Sequence, residues 1–220
     1  MYTLDWLSKL DLINPLATLV AAFAGAWGAL LFESRRKVKE EKDRQRAVAN
    51  RSIYVISEMW NVLYQYYQDV AKPYKDKSDA WLNMAADASY FRQACFEAEK
   101  FAFLLDLGEH QVYPKIMLEE IRFKSLIKLI EMRNNLLINQ VHPALAKANI
   151  KVGAKQLVEE SVKEIIGIDI VHKLKIWTPE IIKQLEMDLL SLKVAHDELR
   201  AAMKRLQPDK KFISLEFKQL

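Results

Sequence analysis

Chemistry in this chain could reside in four histidines, one cysteine and one arginine–asparagine run. Structural zinc needs clustered cysteine and histidine. His110, His142, His172 and His196 are scattered, and Cys95 stands alone. A di-iron bundle needs paired Glu-x-x-His motifs, and Asp169-Ile170-Val171-His172 is the nearest approach. No metal and no cofactor is therefore expected. Phosphate loops need glycines whose backbone N–H groups converge on the anion. Gly108, Gly153 and Gly167 are isolated, which excludes a nucleotide site by motif. Cys95 lies in an apolar helical pattern with no histidine neighbour in sequence, so it reads as a core residue. His196 sits on the apolar seam of a helix. It reads as a core histidine, with a sensing role as the alternative because imidazole titrates near neutrality.

The remaining candidates are Arg133-Asn134-Asn135, inside a long apolar helix, and His142 after it. This pattern resembles the Arg-polar…His signature of the HEPN helical ribonucleases. The resemblance implies a membrane-anchored ribonuclease with Arg133 and His142 as catalytic residues. Eight residues intervene here, wider than the family spacing, and Pro143 follows the histidine directly. On a helix the two residues stand more than two turns apart. The simpler assignment pairs Arg133 with an acid and lets the asparagines satisfy backbone or helix-end groups.

These residues must be positioned by a chain organised around Leu12 to Phe32, a stretch without charge. At about 1.5 Å per residue it spans roughly 30 Å, the thickness of a bilayer core. It is expected to be a transmembrane helix, opened by Asn14-Pro15. Leu16, Val20, Phe23, Trp27 and Leu31 make a bulky face, and Ala17, Ala21, Gly25 and Ala29 a small one. Small residues let backbones approach, so this second face could carry self- or partner association. Ala24-Gly25-Ala26 resembles a signal cleavage site, but the leader is not basic and the apolar run continues past it. After Phe32 comes ESRRKVKEEKDRQR. Its cations place it on the cytoplasmic side and the N-terminus outside, at the plasma (inner) membrane. Arg35, Arg36, Lys37 and Lys39 are expected to meet lipid headgroups. Interleaved acids and missing aromatics argue against nucleic acid.

Hydrophobic residues make up 51% of the 220 and charged residues 28%. Without the anchor, roughly 190 residues remain, enough for one core. Helical spacing continues from Val48, with Val55, Met59, Val62 and Tyr66 inward, until Pro73. A second helix is expected over Asp79 to Leu107, stopped at Gly108. A third runs from Tyr113-Pro114 to about Val141, with Met117, Ile121, Ile127, Ile130 and Leu137 inward. A shorter one, Ala154 to Ile166, ends at Gly167. Residues 168 to 177 fit a short helix or an extended connection. Thr178-Pro179-Glu180 carries a helix-start signal for a last helix bearing Ile182, Leu185, Leu189, Leu192, His196, Leu199, Met203 and Leu206. Ile213, Leu215 and Phe217 alternate with polar residues in a tail that is expected to dock or fray, or to offer a strand to a partner.

The expected fold is all-α: one transmembrane helix continuing into a cytosolic bundle of about five helices. The divisions are 1–11 (interfacial), 12–32 (membrane), 33–47 (basic stalk), 48–207 (cytosolic domain) and 208–220 (tail). The leading expectation is a non-enzymatic, membrane-anchored interaction or signalling subunit. It would contact the bilayer and a protein partner or another copy of itself. The alternatives are a membrane-disrupting effector, for example in bacterial antiviral defence, and the anchored nuclease.

Overall fold

The computed structural model describes residues 5–87, 101–106, 108–150, 159–214 and 216–218, with side-chain exposure from Pro15 onward. The described residues are 84% helical, and no strand occurs among them. It divides into two compact units, Met1–Ala47 and Val48–Leu220. Helix α1, Asp5–Tyr66, begins in the first unit and ends in the second.

In the first unit α1 passes straight through Pro15. The expected start at Asn14-Pro15 is thus corrected: the helix is already formed at Asp5. Every residue from 15 to 40 is exposed, including Phe23, Trp27 and Phe32. From Pro15 the helix is long and apolar enough to cross a membrane by length and composition. Beyond it, Lys37 pairs with Glu33 at 2.8 Å and Arg36 with Glu40 at 3.3 Å, one helical turn away in each case.

The second unit is built on the end of α1, on α4 (Val112–Leu136) and on α7 (Ile168–Leu206). Between them come the short helices α2 (Ala80–Asn83), α3 (Phe103–Asp106), α5 (His142–Lys147) and α6 (Glu159–Ile166). Helices α4 and α7 run antiparallel. Lys115 meets Glu198, Ser191 meets Glu119 and Arg133 meets Thr178, so one number rises as the other falls. Helix α1 is tied to α7 by the Trp60 indole N–H, which donates to the Leu189 carbonyl at 3.0 Å.

The apolar spacing sets which faces turn inward, with shifts of a residue. On α1 the buried line is Ile53, Ile56, Met59, Leu63 and Tyr66, while Val55 is half-buried. On α4 it is Ile116, Phe123, Leu126 and Ile130. Ile121, expected inside, is 58% exposed. On α7 the expected residues from Ile182 to Met203 are all buried. The core has two lobes. The larger joins α1, α4 and α7 from Ile181 onward. The smaller joins Trp81, Leu82, Leu136, Leu137, Leu145, Val162 and Leu174.

Two expected boundaries move. Helix α7 begins at Ile168 and runs through Thr178-Pro179. Val171, Leu174, Thr178, Ile181 and Leu185 hold one buried line across the proline. That burial outweighs the start signal and makes residues 168 to 177 helical. The helix expected over Asp79 to Leu107 stops at Asn83, where Met84 turns to extended backbone (ψ 123). Residues 88–100 of that expected helix, with Cys95, lie outside the described residues, as do Ala154 to Val158. Gly108 and Gly167 take φ +85 and +88 at helix boundaries, the left-handed region that glycine enters without a Cβ penalty.

The X-Pro sequences explain two irregular turns. A proline ring crowds the carbonyl four residues back. Ahead of Pro73 and Pro143 the helix widens, over Tyr67–Ala71 and Leu137–Val141. The N–H groups of Lys72 and His142 then reach back five residues, to the carbonyls of Tyr67 and Leu137. After Pro73 the helix tightens and ends; after Pro143 it continues as α5.

Candidate functional site

Arg133 is fully buried. Its place is set by its neighbours. On α4 it lies between Ile130 of the larger lobe and Leu136 of the smaller. Thr178 stands likewise between Leu174 and Ile181 on α7, and Met84 follows Leu82. The guanidinium therefore sits at the seam of the two lobes. Its Nε donates to Thr178 Oγ1 at 2.8 Å and Nη2 to the Met84 carbonyl at 2.7 Å. Nη1 reaches Asn134 Oδ1 at 3.3 Å and the Ala85 carbonyl at 3.4 Å. Asn134 in turn donates from Nδ2 to the Asp87 carbonyl at 3.1 Å.

This node explains the early end of α2. Carbonyls released where the helix opens at Met84 and Ala85 are taken up by a fixed fork of N–H donors. The asparagine satisfies backbone, as expected. Arg133 does not pair with an acid: among the described residues no carboxylate is in ion-pair contact with it. Burial pulls its pKa down to about 10, opposed by the nearby Tyr66, so it stays charged at neutral pH. Burial also pushes the Tyr66 phenol up to about 12, with Arg133 opposing and Asp87 adding to the rise. His142 is half-buried at the start of α5, and no hydrogen bond joins it to Arg133. The node holds a charge in the core, and among the described residues its hydrogen-bond partners are a hydroxyl, an amide and two backbone carbonyls.

His196 lies in the second half of α7, 1% exposed. Its Nδ1 is 2.9 Å from Asp197 Oδ1. Asp197 is itself mostly exposed, and its carboxylate reaches this ring nitrogen from the next position along the helix. Glu198 pairs with Lys115 at 2.6 Å. His196 Nε2 is buried without a hydrogen-bond partner among the described residues.

The C-terminal tail covers this histidine. Phe217 packs edge-on to the imidazole at 4.8 Å and to Trp60 at 5.0 Å. Trp60 stacks on Tyr64 at 4.7 Å, and Lys218 lies 5.8 Å above the Tyr64 ring. Phe212 packs on the larger lobe, and the Ile213 N–H donates to Asn50 Oδ1 at 3.1 Å. The tail is docked through Phe212 and Phe217, five residues apart. The alternating pattern picks out Phe217 but not Phe212, and Ile213 of the same pattern is 40% exposed.

A third cluster joins α4 to α7. Glu119, nearly buried, accepts from Arg122 Nη1 at 2.9 Å and from Ser191 Oγ at 2.6 Å. Asp188 is 7% exposed, and burial pushes its carboxyl up to about 6, with Glu119 adding to the rise and Arg122 opposing. Sequence reasoning missed both acids, because a charge on an apolar seam looks the same whether it turns in or out. No group of three or more His, Cys, Asp or Glu converges as a metal site among the described residues.

In the first unit Ala17, Ala21, Gly25 and Ala29 are exposed. A Cβ built on Gly25 or Gly28 meets nothing within 4 Å. Of the expected headgroup contacts, Arg36 and Lys37 make the helical-turn pairs given above, while Arg35 and Lys39 are exposed without an ion pair among the described residues.

No family model matches this chain, and no curated protein and no solved structure matches it.

Proposed function

We propose that this protein is a single-pass membrane-anchored interaction subunit, with its N-terminus outside the plasma (inner) membrane and its helical bundle in the cytoplasm. The observation that carries the reading is a charge-free helical face, exposed throughout residues 15–32, continuous with a separately packed bundle. An apolar surface of this extent in water marks a membrane or protein interface. The Lys and Arg run after Phe32 supports the orientation. Arg35 and Lys39 are the cations most available to anionic headgroups. The glycines at 25 and 28 support helix pairing within the bilayer, because they cost helix stability and a Cβ at either would meet nothing within 4 Å among the described residues. The engagement of Arg133 by Thr178, Asn134 and two backbone carbonyls supports a structural use of that residue rather than a catalytic one.

The test is purification of the tagged full chain from membranes in mild detergent. A particle larger than the 25.6 kDa monomer is expected after correction for detergent, made of repeated copies or of this chain with a fixed partner. A monomer that retains nothing would overturn the reading. Collapse of membrane potential on overexpression would favour the membrane-disrupting assembly instead.

A further inference from the structure

We infer that the groove between α4 and α7 is the bundle's partner site, and that its occupant is an amphipathic helix of a partner protein whose central lysine or arginine meets Asp188. This names the surface and the partner chemistry of the interaction reading above and rests on it.

Seven-residue steps hold one face of a helix packed alongside another. On α4 such a line is Leu118, Ser125 and Met132; on α7 it is Glu180, Met187 and Val194. The contacts of Lys115 with Glu198 and of Ser191 with Glu119 set the register of the antiparallel pair. They put Leu118 level with Val194, Ser125 with Met187 and Met132 with Glu180. The two lines are the walls of a groove about 21 Å long, at about 1.5 Å per residue. Helix α1 meets α7 on another side, at Glu186 and Leu189. The walls are open: Leu118 and Met132 are 43% exposed, Val194 53% and Met187 55%. Facing rows of side chains in this spacing leave holes that fit the apolar stripe of a third helix.

The charges of the groove select the kind of helix. Its cations are matched, Lys115 by Glu198 and Arg122 by Glu119. Two acids are not. Asp188 lies between Met187 and Ser191 on the floor, within electrostatic reach of Glu119 and Arg122. Its side chain is more than nine-tenths buried, and its carboxylate makes no ion pair or hydrogen bond among the described residues. Arg122, the nearby cation, is committed to Glu119. Glu180, on the wall, accepts from Gln184, and no cation pairs with it among the described residues. Lys128 and Lys183 are exposed on the outer sides of the walls. A carboxylate buried without a partner is costly, and a cation entering from the groove supplies the missing charge.

The experiment places a photo-crosslinking amino acid in the full-length chain in native membranes. The positions are Met187 and Val194 in the groove and Tyr54, exposed on α1. Adducts are sequenced by mass spectrometry. Met187 and Val194 are expected to capture a helical segment with a lysine or arginine within one turn of the crosslinked residue. Asp188→Asn is expected to lower the adduct at least about tenfold while the bundle melts no lower. A merely structural role for Asp188 would not separate the two readouts. Val194→Glu, at an exposed wall position, should likewise lower the Met187 adduct with the melting transition intact. The inference is overturned if Met187 and Val194 give no protein adduct, or if Asp188→Asn leaves the yield unchanged. It is also overturned if the captured segment has no cation near the crosslink, or if it is a second copy of this chain. Capture at Tyr54 alone would remove this surface and leave the interaction reading standing. No capture at any position, with a monomeric particle in detergent, would remove both.

Discussion

At the residue scale, Arg133 and Asp188 show two outcomes of burying a charge. Arg133 is matched by four neutral acceptors, and removing it strands a hydroxyl and at least one carbonyl in the interior. Unmet buried acceptors cost about 1–3 kcal/mol each. Arg133→Ala is therefore expected to destabilise the bundle by about 3–5 kcal/mol. Denaturant unfolding of the detergent-solubilised chain would check this; unchanged stability would contradict the node. Asp188 works the other way. Its folded pKa of about 6 stands above the ordinary 3.8, so the folded state holds the proton more tightly. The burial penalty on its charge is absent when the group is protonated and grows as pH rises from about 4 to about 6. Asp188→Asn is expected to stabilise the bundle at pH 7 by about 1 kcal/mol, or a few degrees in Tm. The gain should shrink toward pH 4. A gain that is the same at both pH values would assign the effect to something other than charge.

At the scale of elements, proline decides where helices deviate. Pro179 lies inside α7, and without an N–H it leaves the Lys175 carbonyl short of its helix donor. Pro179→Ala is expected to stabilise by about 1–2 kcal/mol, the restored helix bond less the entropy regained by the unfolded chain. A Tm that falls would mean the ring itself packs usefully beside Thr178. The same helix shows what could be read in advance. The 3-4 spacing from Ile182 to Met203 is legible because every position faces one core. The spacing also continues back through Val171 and Leu174, against the local start signal, and the longer pattern wins. The opening at Met84 was not legible. Its cause is Arg133, 49 residues on, whose partners there are backbone carbonyls that any residue type supplies. Alternation in the tail picks out Phe217, which meets the rings of Trp60 and His196, but not Phe212, which packs on the larger lobe out of that register.

At the scale of the whole molecule, an apolar exposed stretch of α1 continues into the helical end that packs in the second unit. Gly25→Ile should lower self-association of the detergent-solubilised chain while leaving the melting of the bundle unchanged, because a Cβ at 25 meets nothing within 4 Å among the described residues. Equal association by wild type and variant would move assembly to another surface. The account depends most on the exposed stretch within residues 15–32 residing in lipid. Its most direct test is extraction of membranes holding the full-length chain with alkaline carbonate. The chain is expected to stay in the membrane pellet and to need detergent for release. Recovery in the aqueous supernatant as a monodisperse species would contradict it.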